Sequence, residues 1–177
     1  MLFKYKSVYV PQVDEMDCGV ACLAMILKQY HSRVSLAHLR HEARTNLEGT
    51  TALGLVKTTQ KFNFKTEAVK ADMSLFDENS IQYPFIAHVL KQGEILHYYV
   101  DLKNAKNYLV IADPDPSVGV VKMPKDKFAQ EWTGVALFMV PNEDFEPIKE
   151  KKNNLWSLFP YMFKFNRLMI NIILVVL

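Results

Sequence analysis

Asp17-Cys18-Gly19-Val20-Ala21-Cys22-Leu23-Ala24-Met25-Ile26-Leu27-Lys28-Gln29 is the stretch on which the fold turns. Apolar side chains fall on every face of it rather than along one stripe, and a helix with no polar face belongs at the centre of a domain. Asp17 is expected to cap this helix, and Lys28 suits the negative end of its dipole. Around it, Ser35 is expected to cap a second helix carrying Leu36, Leu39 and Ala43 at helical spacing. Thr50 or Thr51 can cap a third, from Ala52 to about Phe62, with Ala52, Leu55, Val56 and Phe62 as its core stripe. Upstream, Val8–Val13 reads as a short extended segment interrupted by Pro11.

Beyond residue 63 the period changes from helical to alternating. Phe64–Lys70, Phe85–Leu90, Ile95–Leu102, Tyr108–Ala112, Val118–Met123 and Val135–Val140 are expected strands, with short helices at Met73–Phe76 and Lys125–Glu131. Helices followed by a run of antiparallel strands make an α+β domain over residues 1–140.

Charge narrows the function. With 21 Lys plus Arg against 19 Asp plus Glu, the net charge of +2 is a poor basis for binding nucleic acid. The charge is also uneven: residues 1–148 carry −2, while residues 149–177 carry five bases and one acid. Residues 141–154 read as a charged linker. Residues 155–167, with Trp156, Phe159, Tyr161, Phe163 and Lys164, suit an amphipathic helix at a membrane interface. Leu168–Leu177 has Asn171 as its only polar residue; ten residues are half of the ~20 that a crossing needs, so it reads as the start of a truncated membrane helix. The bases just before it set the domain on the cytoplasmic side. Met1–Ser7 is too polar for a secretory signal, and two cysteines are too few for a disulfide scaffold.

Cys18 lies at the first turn of the central helix, where unpaired N–H groups favour a thiolate and lower the thiol pKa from ~8.5 toward ~3.5–7.5. Gly19 next to it lets a substrate approach the backbone closely. Cys22, one turn deeper, belongs to the core. Of the five histidines, His31, His38 and His41 read as solvated and His88 as an ordinary strand residue. His97 stands apart: a hairpin centred near Ala105 sets it opposite Asp113, within about 5.5 Å. Pro114 ends the strand and leaves Asp113 at its terminus. Asp113, Asp115 and Ser117 lack the glycine and distant glutamate of a calcium loop, and no Gly-rich phosphate loop occurs. A glutamine amide such as that of Gln12, six residues before Cys18, is suited to an oxyanion hole with the Cys18 N–H.

Taken together, Gln12, Asp17-Cys18-Gly19, Ala21-Cys22-Leu23-Ala24-Met25-Ile26, Glu48-Gly49-Thr50-Thr51-Ala52-Leu53-Gly54-Leu55, His97-Tyr98-Tyr99-Val100 and Ile111-Ala112-Asp113-Pro114 resemble one family. It is the papain-like cysteine peptidase domain at the N-terminus of bacterial peptidase-containing ABC transporters, which export bacteriocins or quorum-sensing peptides. The resemblance implies a papain-like fold, with Cys18 as nucleophile, His97 as base and acid, Asp113 as its orienter and Gln12 as oxyanion donor. It implies a precursor peptide as partner, cut after a double-glycine leader that is an amphipathic helix laid in an apolar groove. Leu53, apolar off the core stripe, and Tyr98 are candidates for that groove. No cofactor or metal is implied for this domain; ATP and magnesium belong to a nucleotide-binding domain elsewhere in such a transporter, whose membrane and nucleotide-binding domains are further implied partners and which works as a homodimer when full length. A second reading is a docking domain that holds the leader without cutting it, and a third is an amidase or transglutaminase.

Overall fold

A computed structural model describes residues 3–78 and 80–150. The expected segments 155–167 and 168–177, and the end of the expected linker, lie outside the described residues. Among the described residues no helix is long and apolar enough to cross a membrane.

The helices are α1 (Phe3–Lys6), α2 (Cys18–Gln29), α3 (Leu36–Ala43), α4 (Ala52–Lys61) and α5 (Lys125–Glu131). The strands are β1 (Phe64–Lys70), β2 (Phe85–Lys91), β3 (Ile95–Asn104), β4 (Tyr108–Asp113), β5 (Gly119–Pro124) and β6 (Trp132–Pro141). Every strand pairing is antiparallel, in the order β1-β6-β2-β3-β4-β5. The expected α+β arrangement is the one found.

Helix α2 is the axis of the molecule: residues 18–27 are all buried. Val20, Leu23, Ile26 and Leu27 pack with Leu55 of α4 and with Ile86, Val100 and Leu137 from the sheet. Burying a side chain of this size contributes roughly 1.5–3 kcal/mol, so the all-round apolar sequence is satisfied by helices on one side and the sheet on the other. A second core of Phe76, Phe85, Tyr99, Leu109 and Phe128 fills the space between the opposite face of the sheet and α5. Ser35 and Thr51 accept hydrogen bonds from the N–H groups of His38 and Gly54, which settles the third cap on Thr51.

Two local expectations are corrected. Asp17 precedes α2 but makes no side-chain cap; a 3-10 turn at Glu15–Asp17 leads into the helix, and its cap is Asp14. The β3–β4 turn is not centred on Ala105: Asn104 pairs with Leu109 and Val100 with Ala112, with a bulge between Asp101 and Lys103. Strand β3 continues two residues further than alternation suggested, because Lys103 and Asn104 still find ladder partners. Residues 142–150 of the expected linker run back along the helices: the Arg33 N–H donates to the Ile148 carbonyl, and Phe145 meets Phe64 edge-on at 4.8 Å.

Candidate active site

Cys18 opens α2 and is 6% exposed. The loop that delivers it is pinned from several sides. The buried Asp17 carboxylate accepts the N–H groups of Val13 (3.2 Å) and Asp14 (3.3 Å) and takes the Arg40 guanidinium, which also reaches Asp14. The Gln12 N–H donates to the Pro114 carbonyl at 2.9 Å, which ties this loop to the residue after Asp113. The Gln12 side-chain oxygen is buried with no hydrogen-bond partner among the described residues.

Gly19 has a reason internal to the protein. A Cβ there would meet the Thr50 Cβ at 3.1 Å and the Tyr98 ring at 3.4 Å. The close approach expected from its sequence position is made by the protein's own side chains.

His97 is buried on β3, and its Nε2 lies 2.7 Å from Asp113 Oδ1 at the end of β4. The pair forms, but not by the expected opposition. Continued one step from Val100–Ala112, the ladder sets Asp113 beside Tyr99, so it reaches His97 diagonally along the same face. Because an ionised carboxylate only accepts, this bond puts the proton of a neutral His97 on Nε2 and leaves Nδ1 with a free lone pair.

The Cys18 sulfur is flanked by the backbone N–H groups of Tyr98, the residue after His97, and Gly19. Burial raises the Cys18 thiol above its ordinary value; these two N–H groups pull it down, and the Asp113 and Asp17 carboxylates add to the rise. The net direction corrects the expected depression: desolvation outweighs the helix N-terminus, so the resting thiol needs a proton acceptor. Cys22 is fully buried, which pushes its thiol well up, and it sits against the Tyr98 carbonyl at 3.4 Å.

Asp113 gathers three donors. Oδ1 accepts from His97 and from the Asp115 N–H (3.0 Å), and Oδ2 takes the Lys91 ammonium at 2.8 Å. Burial pushes the carboxyl up, but the bonds from His97 and Lys91 outweigh it and hold the group below the usual carboxylate range. Lys91 went unread in the sequence. Its signal was the Gln92-Gly93 turn: with Gln92 at φ 55° and Gly93 at φ 78° it reverses the chain tightly, pairing Val89 with His97 and setting Lys91 on the same face.

A cleft of about 420 Å³ opens over Cys18, lined in part by Thr50, Ala52, His88, Leu96, Tyr98 and Val135. Tyr98 is thus at the site: its hydroxyl donates to the Thr50 carbonyl at 3.1 Å and its ring packs on His88. His88 is held by Thr133 at 2.9 Å, as an ordinary strand residue would be. Leu53 is 61% exposed on α4 and is not part of the cleft lining, whereas its neighbour Ala52 is. Leu96, missed in the sequence, is 65% exposed beside His97; an apolar residue at the exposed start of a strand was its signal. Among the described residues no group of His, Cys, Asp and Glu could hold a metal ion.

The fold has solved relatives. The peptidase domain of Streptococcus ComA, a bi-functional ABC transporter involved in a quorum-sensing pathway, superposes with a TM-score of 0.73 at 51% identity, over 75% of this chain and 97% of that one. A double glycine motif protease from an AMS/PCAT transporter, solved with a leader peptide, gives a TM-score of 0.67 at 27% identity, over 75% of this chain and 90% of that one. The transport/processing ATP-binding protein ComA of Streptococcus pneumoniae is 53% identical over 172 residues, 97% of this chain but 24% of that protein. The chain therefore spans about a quarter of the length of such relatives. The expected papain-like peptidase fold is the fold of these neighbours. The Peptidase C39 family model matches residues 6–144, nearly the whole described part, and the chain belongs to that family.

Proposed function

We propose that this domain is a thiol endopeptidase that removes a double-glycine leader from a bacteriocin or signalling-peptide precursor. The observation that carries the reading is the buried His97 Nε2–Asp113 Oδ1 bond of 2.7 Å, which leaves Nδ1 of a neutral His97 as the nitrogen able to take a proton, on the residue before Tyr98, whose N–H meets the Cys18 sulfur. His97 Nδ1 takes the Cys18 proton, and the sulfur bonds to the carbonyl carbon of the second leader glycine. Gln12 and the Cys18 N–H stabilise the oxyanion. The imidazolium passes its proton to the leaving amine as the peptide C–N bond breaks. Water, deprotonated by His97, then opens the thioester and frees the leader.

Glycine at the cut is part of this reading, since a pair of glycines can thread a slot too narrow for any Cβ. Ala52, Leu96 and Val135 offer apolar surface to a helical leader, to which Leu53 and Tyr98 are added as candidates. In the whole protein the domain lies at the cytoplasmic face of the membrane. No metal or other cofactor takes part in the cut; ATP and magnesium act in the nucleotide-binding domain, and two copies make the exporter.

The test offers the chain a synthetic precursor with a Gly-Gly site. Cleavage directly after the second glycine by the wild type, lost in Cys18→Ala, is expected; a Cys18→Ala chain that still cuts refutes the assignment.

A further inference from the structure

Resting on that reading of the site, we infer that Lys91 is a positioning residue of the peptidase: it holds the carboxylate of Asp113 ionised and turned so that Oδ1, and not Oδ2, serves His97.

Asp113 is 1% exposed, so each of its oxygens needs a partner from the protein. Oδ1 has two, His97 and the Asp115 N–H. Oδ2 has Lys91 alone among the described residues, at 2.8 Å. Without that ammonium, a buried carboxylate would keep one solvated-type oxygen unsatisfied. It would regain a partner either by rotating away from His97 or by taking up a proton. The lysine is itself constrained: it precedes the tight turn at Gln92 and Gly93, its side chain is 21% exposed, and its ammonium lies 5.8 Å from the centre of the Tyr99 ring.

The other charges around Asp113 cannot replace it. Asp115 carries the same sign, with Lys91 4.0 Å away on its own carboxylate. Tyr9, Tyr99, Cys18 and Cys22 feel Asp113 as a negative charge that disfavours their ionisation. From α5, Glu131 is engaged by the Tyr99 hydroxyl at 2.7 Å, and Lys127 lies 4.0 Å from Glu131. Among the described residues Lys91 is therefore the cation that offsets Asp113 from outside the proposed triad. It lines a separate cleft that shares no residue with the one over Cys18. This separation predicts an effect on turnover rather than on peptide binding.

The experiment measures kcat and KM of the chain on a Gly-Gly peptide from pH 4 to 9, normalised to thiol-titrated sites, for wild type, Lys91→Met, Lys91→Arg and Cys18→Ala. Lys91→Met keeps the stem over Tyr99 and removes the charge. Its kcat is expected to fall about ten- to a hundredfold with KM little changed, and its acid limb to move up by about one pH unit as Asp113 protonates earlier. Lys91→Arg should return the limb toward wild type. A Lys91→Met profile that superimposes on wild type, or that drops equally at every pH, overturns the proposal. Activity in Cys18→Ala would instead remove the reading on which it rests. If Lys91→Met does not fold, the 13C titration of the Asp113 carboxyl in the wild type decides: a midpoint at or above the ordinary ~3.9 refutes the role.

Discussion

Asp113→Asn tests the proposed triad at its most buried member. Three hydrogen bonds end on the wild-type carboxylate: His97 and the Asp115 N–H on one oxygen, Lys91 on the other. The asparagine oxygen can keep the first two, which leaves its amide hydrogens facing the Lys91 ammonium, donor against donor. One charge-assisted bond is lost, worth about 1.5–3 kcal/mol, and since Lys91 retains 21% exposure and can turn to water, the expected destabilisation is about 2 kcal/mol. The pH dependence carries the signature. The folded-state pKa of Asp113 lies below its unfolded value, so the stability it contributes is present above pH ~3.9 and is lost as pH falls through the folded value. Urea unfolding should therefore separate the two proteins at pH 7 and bring them together as pH falls below the folded-state value. Turnover should also drop, by at most the ~10⁴ seen when a triad aspartate becomes an amide, because the imidazolium that forms on His97 loses its negative partner. Equal unfolding midpoints at pH 7 with wild-type turnover would refute the geometry argued here.

Other perturbations have similarly defined outcomes. Arg40→Ala leaves the buried Asp17 carboxylate without its cation; a loss of about 3 kcal/mol by thermal or urea unfolding is expected, with slower alkylation of Cys18 as the loop ahead of α2 loosens. Gly19→Ala forces a methyl to 3.1 Å from Thr50 and 3.4 Å from Tyr98; it should cost about 1–3 kcal/mol and lower kcat, as read by unfolding and peptide cleavage. Cys22→Ala should still cut the peptide at near wild-type rate, and mass spectrometry after thiol labelling of the native chain should place the label on Cys18 in both proteins.

Much of this was legible locally. The all-round apolar run from Gly19 to Leu27, the caps at Ser35 and Thr51 and the change to alternation after residue 63 each depend on neighbours within a few positions. The helices and strands accordingly emerged close to where they were expected. That His97 meets Asp113 was readable too, because a strand terminated by Pro114 leaves little freedom to the residue before it.

Other features belong to packing alone. The β3–β4 register depended on whether Lys103 and Asn104 still found partners and on a bulge beside Asp101, neither of which alternation encodes. Lys91 meets Asp113 across twenty-two positions through two hairpins, and the direction in which the Cys18 thiol moves is set by burial, not by its place on the helix. The amino-acid order by itself determined the elements, the buried helix and the residues capable of the chemistry, since backbone preference and side-chain period act over short spans. Which oxygen meets which nitrogen, and which charge stands behind it, was decided only when separate strands closed on one another, because electrostatics in a dry interior depend on distances that the chain sets in three dimensions.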